Sequence, residues 1–292
     1  MIKDKFINWA LFIALSLIWG SSFLLMKIGL EALKPTQVAA LRILSAGIML
    51  LPFFIKSIKA IDNSKIALVF LSGSIGSFIP AFLFCFAETQ INSSLTGMLN
   101  SLTPLFAVVL GALFFKVKNT WQQIAGVLVG LIGLYFLVFP TGIPILGNLL
   151  YVSFILGATL LYAINANMVS DHLKGVTPIT IASVAFVLHI IPCLVVLFVS
   201  GYFNLSFSNT SVIQSTFAAS FLGALGTAFA SVLFYRLVIR AGALFSSMVT
   251  YGIPFVAAGW GVVYGEKVTI LQMGCLAIIL SGVYLAKPKS KS

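Results

Sequence analysis

The sequence predicts an all-α polytopic membrane protein: ten transmembrane helices arranged as two inverted five-helix repeats. Three observations predict this. Of 292 residues, 60% are hydrophobic and 8% charged, whereas a soluble chain carries about 25% charge. Apolar runs of about twenty residues, the length that crosses a bilayer, recur along the whole chain. The seventeen Lys and Arg residues against six Asp and Glu, net +11, sort by loop rather than forming one patch. A soluble enzyme, a secreted domain and a disordered chain are excluded, because only lipid solvates so much apolar surface.

Read in order, the apolar runs cover 8–29, 36–55, 66–87, 93–115, 120–139, 146–168, 178–200, 213–235, 243–264 and 269–286. The first follows Lys3 and Lys5 but is too long for a signal-peptide core and lacks a small-x-small cleavage site, so it reads as helix 1. The runs at 66–87 and 213–235 carry Gly, Ser and Thr, which let membrane helices approach closely. Runs 93–115 and 243–264 carry mid-span prolines, Pro104 and Pro254. The longest connections, 56–65 and 201–212, are too short for a soluble domain. Backbone groups in lipid must be satisfied internally, which selects a helix bundle, and the ten-residue alternation of a barrel is absent. Cys85, Cys193 and Cys275 fall inside spans without a CxxC spacing, so they read as small buried hydrophobes and not as a disulfide or metal site.

With ten spans both termini share a side. Placing them in the cytoplasm puts Lys3, Lys5, Lys56, Lys59, Lys65, Lys116, Lys118, Lys174, Arg236, Arg240, Lys287, Lys289 and Lys291 there, against Lys34 and Lys267 opposite. The positive-inside rule therefore predicts cytoplasmic N- and C-termini, in the plasma membrane (the inner membrane of a bacterium). Scattered over short loops and tails, these cations make no nucleic-acid surface.

The two halves, 1–140 and 141–292, share features at nearly fixed offsets. Trp19 and Pro35 match Tyr162 and Pro178 at 143; Gly73 and Gly76 match Gly223 and Gly226 at 150; Pro104, Ala107 and Gly111 match Pro254, Ala257 and Gly261 at 150; and Gln123, Gly133 and Tyr135 match Gln272, Gly282 and Tyr284 at 149. Five helices is an odd number, so the second copy runs inverted. Inverted repeats suit carriers whose halves rock about a central site.

Several stretches resemble the EamA-type transporters of the drug/metabolite transporter superfamily. They are Trp19-Gly20-Ser21-Ser22-Phe23 with Lys27; Pro35 followed by Leu41-Arg42-Ile43-Leu44-Ser45-Ala46; Ser101-Leu102-Thr103-Pro104-Leu105; and Gly265-Glu266 followed by Leu271-Gln272-Met273-Gly274 and Ser281-Gly282-Val283-Tyr284. The first repeat departs from the pattern, with Lys116-Val117 where the family usually places Gly-Glu. The resemblance implies that helices 1–4 and 6–9 enclose a central cavity, with helices 5 and 10 outside it. It also implies export of amino acids or other polar or amphipathic metabolites.

Candidate substrate-binding residues are Trp19, Ser22, Asn100, Thr103, Tyr162, Asn165, Thr250 and Tyr251. Pro104 and Pro254 are candidate hinges, freeing the carbonyls of Asn100 and Thr250; a cavity or plain packing can absorb such a kink. A mid-span Trp19 suits a cavity wall or helix packing, and Asn165 a substrate contact or an interhelical bond. Lys27, Arg42 and His189 are the candidates for a charge or proton role. Against these stand snorkelling for Lys27, a structural carbonyl cluster for Arg42 and a satisfied core imidazole for His189. Glu88 and Glu266 belong near the outer face, within reach of Lys27, Lys34 or Lys267, and Arg236 reads as an anchor ending helix 8. Gly126/Gly130 and Gly261/Gly265 fit close helix approach, and helix 5 within the chain or at an oligomer contact.

The function expected is secondary-active transport of a small molecule by alternating access, without a cofactor or metal, with a proton or ion as the coupling partner. No Walker, H-E-x-x-H or G-x-S-x-G motif appears. A passive facilitator or channel is the alternative, and a membrane-embedded enzyme stands behind it.

Overall fold

The computed structural model describes residues 2–114, 120–138, 145–247 and 249–286. Among these residues the chain is helical, with no strand. Lys116, Lys118, Lys287, Lys289 and Lys291, and the Lys116-Val117 departure, lie outside the described residues.

Seven helical stretches are long and apolar enough to cross a membrane: Phe6–Leu30, Pro35–Ala60, Asn63–Ala87, Ser93–Leu110, Leu149–Val169, Pro178–Val199 and Thr210–Leu237. Three shorter apolar helices accompany them, Trp121–Leu137, Val249–Val263 and Ile270–Leu285.

The first two stretches are unbroken helices, α1 (Ile2–Leu30) and α2 (Pro35–Ala60). The next is α3 (Asn63–Gly73) and α4 (Ile79–Ala87) joined by a π-helical stretch, Ser74–Phe78. The fourth is broken into α5 (Ser93–Asn100) and α6 (Thr103–Phe114). There follow α7 (Trp121–Val138) and α8 (Ile145–His172), then α9 (Pro178–Leu188) and α10 (Ile190–Val199). Next come α11 (Thr210–Phe221), a second π-helical stretch at Leu222–Phe229, and α12 (Ala230–Ser247). The last two helices are α13 (Val249–Val263) and α14 (Ile270–Ala286).

Three features differ in detail from the sequence expectation. The fourth span is interrupted, not kinked: α5 stops at Asn100, and Thr103 and Pro104 open α6, a first-turn position where the missing proline N–H costs nothing. The carbonyl of Asn100 is not left for a ligand, because Thr103 Oγ1 donates to it at 2.8 Å. The seventh span breaks at His189, which ends α9. Arg236 does not end a helix, since α12 continues to Ser247.

Small residues set the packing. α1 packs on α11, α12 and α13, while α8 packs on α4, α5 and α6; α2 packs on α9 and α10, and α7 on α14. At the α7–α14 contact a Cβ on Gly282 would strike backbone atoms of Gly126 and Gly130, so Gly126 and Gly130 are used within the chain. Large apolar side chains such as Ile191, Phe198, Val263 and Ile270 point outward, as a lipid-facing surface requires.

The two ends of the bundle are tied by different contacts. At one, Lys65 Nζ donates to Lys174 O at 3.4 Å and Arg240 Nε to Asn8 Oδ1 at 3.3 Å. At the other, Lys34 Nζ donates to Ser200 O at 3.2 Å and Tyr264 OH to Glu31 Oε1 at 3.3 Å.

Candidate functional site: a central cavity and a latch

The two π-helical stretches place glycines where α-helical packing would place side chains. A Cβ on Gly76 would collide with the Asn165 amide, and one on Gly223 with the Arg42 carbonyl. These close approaches let polar side chains from opposite halves meet in mid-bundle. π-Helical turns mark functional sites often, and nothing in a Gly/Ser/Thr-bearing span distinguishes them from ordinary packing helix, so sequence reasoning missed both.

Between the helices lies a cavity of about 810 Å³. Its lining includes Trp19, Ser22, Arg42, Ser77, Asn100, Thr103, Pro104, Tyr162, Asn165, Thr227, Tyr235 and Thr250. It extends to the α8–α9 connection, where Lys174, Gly175, Val176 and Thr177 line it. Trp19 is fixed by its Nε1, which donates to Gly226 O at 3.0 Å, and by a ring contact with Phe234 at 5.2 Å. Tyr162 stacks on Phe84 at 5.9 Å. Arg42 Nε donates to Thr227 Oγ1 at 2.8 Å. Asn165 Oδ1 accepts from Ser72 Oγ at 2.7 Å. Asn100 is 8% exposed, and its Oδ1 is buried without a hydrogen-bond partner among the described residues. The cavity thus offers two aromatic walls, one guanidinium and an acceptor awaiting a donor.

Of the residues singled out from sequence, Trp19, Ser22, Asn100, Thr103, Pro104, Tyr162, Asn165, Thr250 and Arg42 come together on this lining. Tyr251 and Pro254 are not among the lining residues; Pro254 is buried inside α13. His189 is also elsewhere, 2% exposed. Its Nδ1 lies 2.7 Å from Ala185 O. A carbonyl can only accept, so Nδ1 carries the proton and Nε2 faces Ser74 Oγ at 2.9 Å. The ring stacks on Phe70 at 4.5 Å. His189 therefore braces the first π-helical stretch.

Lys27 and Glu266 pair outside this lining. α13 terminates in a Schellman motif: Gly265 adopts φ +79°, Glu266 N–H donates to Gly261 O at 2.8 Å and Gly265 N–H to Val262 O at 3.1 Å. Gly265 is thus a turn residue and makes no close helix contact, whereas Gly261 does, against Ser94. The turn aims Glu266 at the N-terminus of α5. Its carboxylate accepts from Ser93 N at 3.1 Å, Ser94 N at 3.0 Å, Ser94 Oγ at 2.5 Å and Lys27 Nζ at 2.9 Å. Lys27 also lies 5.3 Å from the Tyr264 ring centroid. Burial alone would raise the pKa of Glu266, but these donors outweigh it and hold the carboxyl below its ordinary 4.5. Glu88, expected to pair like Glu266, accepts no hydrogen bond among the described residues.

The family model for the EamA-like transporter family matches residues 7–139 and again 149–287. The chain belongs to that family. It is a multi-pass membrane transporter of a small-molecule substrate. Among similar proteins, an uncharacterized transporter of Archaeoglobus fulgidus is 26% identical over 93% of this chain and 95% of its own. A probable amino-acid metabolite efflux pump of Salmonella typhimurium is 29% identical over 41% of this chain and 39% of its own. One solved crystal structure shares the fold, with a TM-score of 0.62 at 18% identity over 98% of this chain and 96% of that one. In this EamA chain the Gly265-Glu266 pair quoted from sequence therefore has a visible job: the glycine makes the turn, and the glutamate joins α1, α5 and α13.

Proposed function

We propose that this EamA-family protein is a secondary-active exporter of amino acids or related small zwitterions, working by alternating access between two inverted five-helix halves. The observation that carries the reading is the reach of the cavity to the α8–α9 connection. Lys27 and Glu266 are bonded to each other outside its lining. Positive-inside sorting makes the α8–α9 end cytoplasmic, so the reading is an inward-facing carrier in a bacterial inner membrane, with both termini cytoplasmic. The inverted arrangement is supported by the reciprocal packing of α1 on α11–α13 and α8 on α4–α6, and by π-helical stretches bearing Gly76 and Gly226 in the two halves.

Arg42 is a fit for a carboxylate, the Asn100 Oδ1 for an ammonium donor, and Trp19 and Tyr162 for a side chain between them. The relative named as a probable amino-acid metabolite efflux pump points to the same chemical class. The test is counterflow. Purified protein in liposomes loaded with an unlabelled amino-acid mixture should accumulate labelled amino acid transiently and saturably. Linear, non-saturating flux by folded protein supports the channel reading instead.

A further inference from the structure

Glu88 is the buried charge that the latch does not use. It caps the C-terminus of α4, one residue past the Asn63–Ala87 span, and its N–H donates to Phe84 O at 2.9 Å. Both carboxyl oxygens are buried, and neither has a hydrogen-bond partner among the described residues. An ionised carboxylate left so is strongly disfavoured, whereas a neutral acid in the same place costs far less.

The groups facing it come from every neighbouring element. α1 contributes Lys27, α2 contributes Arg42, and the α13–α14 connection contributes Glu266. Cys85 lies on α4 itself and Tyr151 and Tyr162 on the packed α8, while the adjoining π-helical stretch Ser74–Phe78 has no titratable group. Arg42 is tied to Thr227. Lys27 is 34% exposed and bonded to Glu266, whose side chain is 5% exposed. Lys27 thus acts on two acids: it is bonded to Glu266, and its charge favours an ionised Glu88, whose oxygens have no hydrogen-bond partner among the described residues.

We propose that Glu88 is the proton-binding site of this carrier, neutral while Lys27 is held by Glu266 and competing for Lys27 once it ionises. Loss of the proton to water leaves Glu88 as a carboxylate that recruits Lys27, and this withdraws the cation that helps fix α13 to α5. Rebinding of a proton returns Lys27 to Glu266 and restores the latch. Burial pushes the Glu88 pKa well above 4.5, Glu266 pushes it further, and Lys27 and Arg42 oppose them. The proposal rests on the transporter reading and supplies its coupling ion.

The test is an infrared pH titration of the purified full-length protein in lipid, with the proton as the probe. A protonated-carboxyl C=O band should titrate well above the ordinary glutamate range, vanish in Glu88→Gln and persist in Glu31→Gln. Absence of such a band, or its survival in Glu88→Gln, overturns the assignment. If Glu88→Gln does not fold, Glu88→Asp decides: a displaced band supports the site, and a band unchanged in frequency and pKa overturns it. Failure here is distinct from failure of the carrier reading, which shows as absent counterflow without any pH gradient.

Discussion

Lys27 Nζ lies 2.9 Å from Glu266 Oε1 although 239 residues separate them, so the first helix and the last interhelical turn meet in one ion pair. Glu266 also accepts from both Ser93 and Ser94 N–H groups, where the N-terminal end of α5 favours negative charge. The carboxylate accepts from four donors in all, the two N–H groups, Ser94 Oγ and Lys27 Nζ, and a glutamine turns one of its two acceptor oxygens into a donor. Glu266→Gln should lower stability by about 1–3 kcal/mol, read as a fall in melting temperature. Lys27→Met should cost less because Lys27 is 34% exposed. A double-mutant cycle should give a coupling of about 1 kcal/mol, and a coupling near zero would show that the pair does not hold the two helices.

The latch also has a pH signature. The Glu266 pKa is lowered in the folded protein, so its contribution is complete above the ordinary carboxyl pKa of 4.5 and is lost as pH falls through the lower, folded value. Melting temperature should therefore drop more steeply below pH 4.5 in the native protein than in Glu266→Gln. Parallel curves would contradict the assignment.

At the α7–α14 contact, a side chain on Gly282 would meet backbone of Gly126 and Gly130, which cannot yield as a side chain does. Gly282→Ala should destabilise by about 1–3 kcal/mol, and Gly282→Leu should prevent folding. Gly274→Ala, with open space around it, is the matched control and should be neutral in the same thermal assay.

His189 bonds Ala185 and Ser74, so His189→Leu removes both contacts, although Ser74 Oγ keeps the Phe70 carbonyl as an acceptor. The expected cost is about 1–3 kcal/mol. Counterflow should keep its pH dependence in any folded His189→Gln protein. Loss of that dependence would restore the imidazole as a proton relay.

Much of this organisation was legible in the sequence, and particular residues show where legibility stopped. Trp19, Asn100, Tyr162 and Asn165 line the cavity, as one of the two readings of mid-span polar and aromatic groups expected, and Asn165 makes the interhelical bond of the other as well. The Gly265-Glu266 pair was recognisable, yet its partners Ser93 and Ser94 were not, since a helix N-terminus looks like any polar loop in one dimension. Glu88 was read as a second ion-pair acid because Lys27, Lys34 and Lys267 belong to the same face; only packing shows it without a hydrogen-bond partner among the described residues. The breaks at Asn100 and His189 and the π-helical stretches escaped because hydropathy reports that a segment is apolar, not how its backbone is wound. Tyr251 and Pro254 follow helical spacing but fall off the lining, the rotation of α13 being set by contacts such as that of Gly252 with Ser16.

The account centres on the cavity as the substrate path, and Asn100 tests it most directly. Its Oδ1 is buried on the lining with no hydrogen-bond partner among the described residues, so Asn100→Leu removes a hydrogen-bond acceptor without stranding a donor among them. Amino-acid counterflow should be measured for the native protein and for folded Asn100→Leu reconstituted at equal density. The account predicts saturable exchange by the native protein and at least a tenfold rise in half-saturation for the variant, about 1.4 kcal/mol. Saturable exchange with unchanged half-saturation in Asn100→Leu would place the substrate path outside this cavity.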